Sequence, residues 1–131
     1  EARRLSPKSR IGYLEVFSSP EMTLCIFLLR AGASIPLHDH PGMHVFGRLL
    51  LGRMHVVSYD RAEEEDEGGS VMWARQRFTG ELGPSPATYM LEPLRGNLHE
   101  LQALEDCAFF DIVSPSYDPQ NGRDCTYRWR R

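Results

Sequence analysis

Two histidines separated by one residue, His38 and His40, sit in the run Gly32-Ala33-Ser34-Ile35-Pro36-Leu37-His38-Asp39-His40-Pro41-Gly42-Met43-His44, and a third, His99, closes the later run Pro93-Leu94-Arg95-Gly96-Asn97-Leu98-His99. Side chains two apart on an extended strand share a face. His38 and His40 can therefore grip one ion while His99 arrives from another strand. Such a site serves two chemistries. Zinc with three imidazoles and an open position activates water for hydrolysis. Ferrous iron keeps about three open positions, enough for a bidentate substrate and dioxygen. Ligand count leaves both open.

The other two histidines read differently. His44 has the same strand parity as His38 and His40, but Pro41-Gly42 breaks the register between them, so it is a candidate to support the ligands from outside. His55 lies in an alternating strand and reads as a barrel-wall residue.

The elements that must hold these residues are short. Apolar segments rich in Val, Ile, Leu, Phe and Tyr are separated by Gly, Pro, Asn and Asp, the punctuation of an antiparallel β protein. Strands are expected at Met22 to Leu29, Leu37 to His40, Val45 to Leu51, Met54 to Tyr59, Val71 to Phe78, Thr88 to Leu91, Leu98 to Ala103, Ala108 to Val113 and Cys125 to Trp129. Nine short strands and no long helix favour an all-β barrel or jelly roll. Gly52-Arg53 reads as a two-residue hairpin turn with Gly at the position needing a positive φ. The acidic run Glu63 to Glu67, followed by Gly68-Gly69-Ser70, reads as a solvated loop over residues 61–70 rather than a cation site. Pro84-Ser85-Pro86 reads as a rigid turn.

With 131 residues and 41% hydrophobic content, the chain is expected to be a single domain over residues 1–131. A net charge of −3, with basic residues scattered apart from Arg128-Trp129-Arg130-Arg131, argues against nucleic acid as a partner. No segment approaches the ~18 apolar residues of a membrane span, so no membrane partner is expected. Three cysteines, Cys25, Cys107 and Cys125, cannot all pair within the chain, which points to a reducing compartment. A cytoplasmic location, extending to the nucleus, and a monomer are expected. A start at Glu1 rather than Met leads to the expectation of a processed, trimmed or excised chain. Cys25 and Cys107 are expected in the core.

Gly-x5-His-x-His, here Gly32 to His40, resembles the first motif of the cupins, small double-stranded barrels that hold a metal inside. Pro93-x2-Gly96-x2-His99 resembles the second, with one extra residue. The Glu that follows His-x-His in the usual cupin pattern is absent, its positions being taken by His44 and Val45. Three neutral imidazoles leave a ferrous ion its full 2+ charge and suit an anionic substrate. A thiolate with a neighbouring amine would fill two of its open positions.

The resemblance becomes specific at His38-Asp39-His40-Pro41-Gly42-Met43-His44 and continues through Val45 to Asp60, Asn97-Leu98-His99, Phe110 to Pro119 and Gly122-Arg123-Asp124-Cys125-Thr126-Tyr127. These stretches resemble the thiol dioxygenase family of animal cysteamine dioxygenase and the plant cysteine oxidases. The resemblance implies a cupin-type double-stranded β-helix with few or no helices, and Fe(II) held by His38, His40 and His99. It implies insertion of both atoms of O2 into a thiol to give a sulfinic acid. The implied substrates are cysteamine and the N-terminal cysteine of peptides and proteins, whose oxidation feeds an oxygen-sensitive degradation signal. Asp111 and Tyr117 match pocket positions, Asp111 to orient the substrate amine directly or through a histidine ligand and Tyr117 to supply a hydrogen bond. Cys125 and Tyr127 match the motif that carries a thioether cross-link in the animal enzyme, and two-residue spacing on a strand would let them meet. A metal-binding cupin without catalysis, serving as a sensor or interaction module, is the alternative from another class, and a zinc-dependent hydrolase or isomerase is a third.

Overall fold

The structure, a computed structural model, describes residues 10–65, 71–85 and 87–128, without the side chains of 63–65. Nine strands follow in chain order: β1 (Ile11–Ser18), β2 (Thr23–Leu29), β3 (Ser34–His38), β4 (His44–Leu51), β5 (Met54–Glu65), β6 (Met72–Leu82), β7 (Thr88–Leu91), β8 (Leu98–Ala103) and β9 (Cys107–Ser114). One sheet has the order β1-β2-β9-β4-β7 and the other β3-β8-β5-β6. All of the pairings between these strands are antiparallel. This is the jelly-roll barrel expected from the sequence. Among the described residues the single helical element is one 3-10 turn, Pro119–Asn121, and no helix is long and apolar enough to cross a membrane.

Alternation explains why the two sheets close on each other. In β4 the even positions His44, Phe46 and Arg48 are exposed while Val45, Gly47 and Leu49 are buried, a period of two that gives one face to the core. Leu29, Ile35, Leu49, Met54, Val56, Leu101 and Phe109 form the main core cluster, and Met43, Val45, Leu91 and Val113 a second one. Each such side chain contributes roughly 1.5 to 3 kcal/mol by leaving water. Cys25 and Cys107 are buried, as expected, and Cys25, Cys107 and Cys125 are all free thiols.

The hairpin between β4 and β5 turns at Gly52, whose φ is +81°. A Cβ there would lie 2.3 Å from the Asp106 carbonyl oxygen, so glycine is required twice over.

Four expectations about elements need correction. β1 was not anticipated: its pairing with β2 shifts between Glu15 and Phe17, and that bulge scrambles the period-two pattern. Residues 61–65 are not loop but the end of β5, because the acidic strand faces a basic one, with Asp60 opposite Arg75 and an Arg77 to Asp60 ion pair at 3.0 Å. The later part of that stretch, 66–70, and Pro86 of the proposed turn lie outside the described residues, as do Trp129 to Arg131. β3 stops at His38, so His40 is not on the strand. Cys125 to Tyr127 form no strand either, and Tyr127 makes one isolated bridge, to His38.

Candidate metal centre and its pocket

His38 ends β3 and His99 is the second residue of β8, directly opposite it in register. His40 reaches the same point from the turn beyond β3, and Asn97 is what fixes it there. The Asn97 side chain accepts from the His40 backbone N–H (2.7 Å) and donates to the carbonyls of His40 (2.8 Å) and Glu92 (3.1 Å). The chain then turns through Pro41-Gly42, where Gly42 has φ +69° and Met43 N–H donates to the His40 carbonyl at 3.1 Å. One nitrogen from each of the three histidines lies within 4.8 Å of the others. Histidine therefore converges on one point from three backbone segments.

The cluster is dry. His38, His40 and His99 retain 6%, 4% and 1% of their surface. Burial lowers the basicity of all three, taking His40 to about 3 with the neighbouring His38 adding to the effect, and His99 well below the usual imidazole range. All three are neutral at pH 7. His38 Nδ1 lies 2.7 Å from the Pro36 carbonyl and must donate to it, which makes its Nε2 a bare lone pair. His99 Nε2 approaches that lone pair at 3.0 Å, and His99 Nδ1 is buried with no hydrogen-bond partner. A neutral His99 has one proton for two buried nitrogens. Three neutral imidazoles with lone pairs aimed into a shared dry site are the donor set of a bound divalent cation, so the residues present fit the metal.

The histidines open onto a cavity of 130 Å³ whose lining includes Tyr13, Cys25, Asp111, Tyr117, Cys125 and Tyr127. The sequence-derived site residues are thus brought together. Asp111 points inward from β9; it is 6% exposed, and burial pushes its carboxyl up to about 7. The Tyr89 hydroxyl donates to Asp111 Oδ1. The Tyr117 ring stands 6.2 Å from His40 at the mouth, 38% exposed. The Tyr127 ring lies 5.6 Å from His38. The Cys125 thiol and Tyr127 hydroxyl are in hydrogen-bond contact, with burial pushing the thiol up to about 11. They meet as the spacing suggested, though without a strand.

A side chain between the two histidines holds that segment down. Asp39 Oδ1 accepts from Thr126 N–H (3.0 Å) and Oδ2 from the Arg128 guanidinium (3.2 Å), while Asp39 N–H donates to the Thr126 carbonyl (3.1 Å). His44, considered as a support for the ligands, instead points outward and stacks on Phe46 at 6.3 Å. The strict alternation of β4 turns it away. His55 is a wall residue within hydrogen-bond reach of Thr79 at 3.2 Å. Sequence reasoning assigned no role to Asn97, Asp39, Tyr89 or Tyr13. Asn97 and Asp39 had a signal, since each lies within two residues of a candidate ligand; Tyr13 had none, because its strand was not recognised.

Comparison with known proteins identifies the fold and the family. An RmlC-like cupin protein from Desulfovibrio desulfuricans superposes with a TM-score of 0.56 at 20% identity, over 88% of this chain and 91% of that one, which shows the cupin fold. The chain is 34% identical over 142 residues to 2-aminoethanethiol dioxygenase of Homo sapiens, covering 89% of this chain and 51% of the relative. It is 35% identical over 119 residues to plant cysteine oxidase 2 of Arabidopsis thaliana, covering 89% of this chain and 43% of the relative. The chain thus spans about half the length of the curated relatives it matches. The family model described as PCO_ADO matches residues 1–130, and the chain belongs to that family.

Proposed function

We propose that this chain is the Fe(II)-binding core of a thiol dioxygenase, with His38, His40 and His99 as the metal ligands and an aminothiol as substrate, either the N-terminal cysteine of a peptide or protein or free cysteamine. The reaction consumes one thiol and one O2 and yields one sulfinic acid, both oxygen atoms ending on sulfur. The observation that carries the reading is the pairing, in one 130 Å³ cavity, of three buried neutral imidazoles with one buried carboxylic acid.

Bound Fe(II) supplies the redox chemistry that joins O2 to a thiolate sulfur. The residues of the chain do the rest. The imidazoles add no negative charge, so the site attracts a thiolate. Asp111 receives the substrate ammonium, and as a carboxylate it needs that cation to be comfortable in a dry cavity. Tyr117 at the mouth is placed to hydrogen-bond the substrate as it enters. The cavity is of a size for a thiol and an amine on a two-carbon unit, and a peptide substrate would leave its remaining residues at the mouth beside Tyr13 and Tyr117, 44% and 38% exposed. Cys125 and Tyr127, in contact beside His38, are placed for the thioether cross-link.

Anaerobic loading with Fe(II), exposure to air with a Cys-initiated peptide or with cysteamine, and mass spectrometry test the reading. A gain of two oxygen atoms, lost in His99→Ala, is expected. Iron binding without oxidation of either thiol would instead favour a metal-binding cupin that serves as a sensor. Full zinc occupancy with hydrolytic activity would replace the reading altogether.

A further inference from the structure

Tyr89 stands behind Asp111, outside the lining of the histidine cavity. Gly47 of β4 is paired in register with Asp111 of β9 on one side and with Tyr89 of β7 on the other. Asp111 and Tyr89 are therefore two strands apart, about 10 Å between backbones, a gap that takes a long side chain with a terminal donor to cross. Tyr89 crosses it by laying its ring over Gly47. A Cβ at residue 47 would stand 1.9 Å from the tyrosine ring, so the bridge exists only because that residue is glycine. The ring centroid also lies 6.4 Å from those of His99 and Phe109. Its other side lines a separate cleft of 340 Å³, formed with Phe78, Leu82 and Met90.

The hydrogen bond occupies one carboxyl oxygen. Tyr89 donates to Asp111 Oδ1, and Asp111 Oδ2 is not among the buried polar atoms without a partner, while the residue as a whole lines the histidine cavity. One oxygen is tied to the wall and the other is left for the cavity.

We infer that Tyr89 is a positioning residue for substrate selection: bridging over Gly47, it holds one oxygen of Asp111 so that the other faces the substrate ammonium, and this makes the amine as well as the thiol a requirement for binding. The inference rests on the reading of Asp111 as the acceptor of the amine. A carboxylate free to rotate would still attract a cation but would not place it at a fixed distance from the histidines. Tyr89, which sequence motifs pass over, thus separates aminothiols from plain thiols.

Binding without oxygen tests this independently of oxidation. Cysteamine and ethanethiol are titrated by calorimetry, anaerobically, into the Fe(II)-loaded wild type and Tyr89→Phe, a change that keeps the ring and removes only the donor. Loss of a hydrogen bond to a charged group predicts that Tyr89→Phe weakens cysteamine binding about tenfold and leaves ethanethiol unchanged. Gly47→Ala, which displaces the ring, is expected to show the same selective loss. Equal weakening of both thiols, an unaltered ratio in Tyr89→Phe, or a wild-type ratio in Gly47→Ala would overturn the proposal. Because no O2 is present, a chain that binds with this preference but oxidises nothing sinks the dioxygenase reading and leaves the role of Tyr89 standing.

Discussion

Asn97 uses its acceptor and its donors to join two segments of chain that have no backbone pairing at that point. Its amide satisfies both backbone groups of His40 and the carbonyl of Glu92, so it converts a turn into a rigid mount for an imidazole. Replacing it with alanine strands the buried His40 N–H, at about 1 to 3 kcal/mol, while the His40 and Glu92 carbonyls keep the N–H groups of Met43 (3.1 Å) and Arg95 (3.2 Å). Asn97→Ala should unfold at clearly lower denaturant than wild type and bind Fe(II) more weakly, both read by chemical denaturation with and without the metal. At this scale the three histidines were legible because metal ligation restricts residue type and spacing at once. Tyr89 was not, because its partner Asp111 is reached through a register among β7, β4 and β9 that no local pattern encodes. Asp111 and Tyr117 were reached through the family resemblance and not through any pattern of their own.

Among the elements, the segment from Cys125 to Arg128 stands out for being held in place by hydrogen bonds rather than by a ladder. Asp39 supplies two of them from its side chain and one from its backbone, and Arg128 N–H adds another to the Leu37 carbonyl at 2.8 Å. Asp39→Ala should free this segment, raising the rate of trypsin cleavage after Arg128 several-fold and lowering the affinity for a thiol, since Tyr127 and Cys125 then leave the pocket wall. Asp39→Asn keeps an acceptor for Thr126 and should fall between the two. The sequence suggested a strand here because Cys125 and Tyr127 alternate correctly, and the contact between them is indeed made. What local alternation could not reveal is that, among the described residues, this segment pairs with a strand only through the His38 bridge. The β4–β5 turn illustrates the opposite case: Gly52 was readable from position alone, and Gly52→Ala is expected to cost about 2 kcal/mol or more from the left-handed φ and the clash with Asp106, measurable as a lower midpoint of thermal unfolding.

Among the described residues the three buried histidines and the buried carboxyl of Asp111 share one cavity, and that sets how the molecule responds to pH. The three histidines are depressed from the ordinary imidazole value of 6.5, so below that pH the unfolded chain takes up protons that the metal-free native cavity refuses. Stability from this source is full above about 6.5 and is lost as pH falls towards the depressed values. Asp111, raised from 3.8 to about 7, acts in the opposite sense, its native state holding a proton that the unfolded state releases between those values. Three groups outweigh one. Urea unfolding of the metal-free protein is therefore expected to show stability falling from pH 7 to pH 5, and His99→Gln should flatten that slope. The barrel itself was legible as a class because nine short apolar runs in so small a chain have few other ways to bury themselves, whereas the order of strands within each sheet was not.

The hold of Asp39 on residues 126–128 has a practical side for anyone who handles the protein. The segment through Cys125 and Tyr127 forms a lip of the histidine pocket, with the Tyr127 ring 5.6 Å from that of His38. A bulky label joined close to residue 128 would thus crowd that opening.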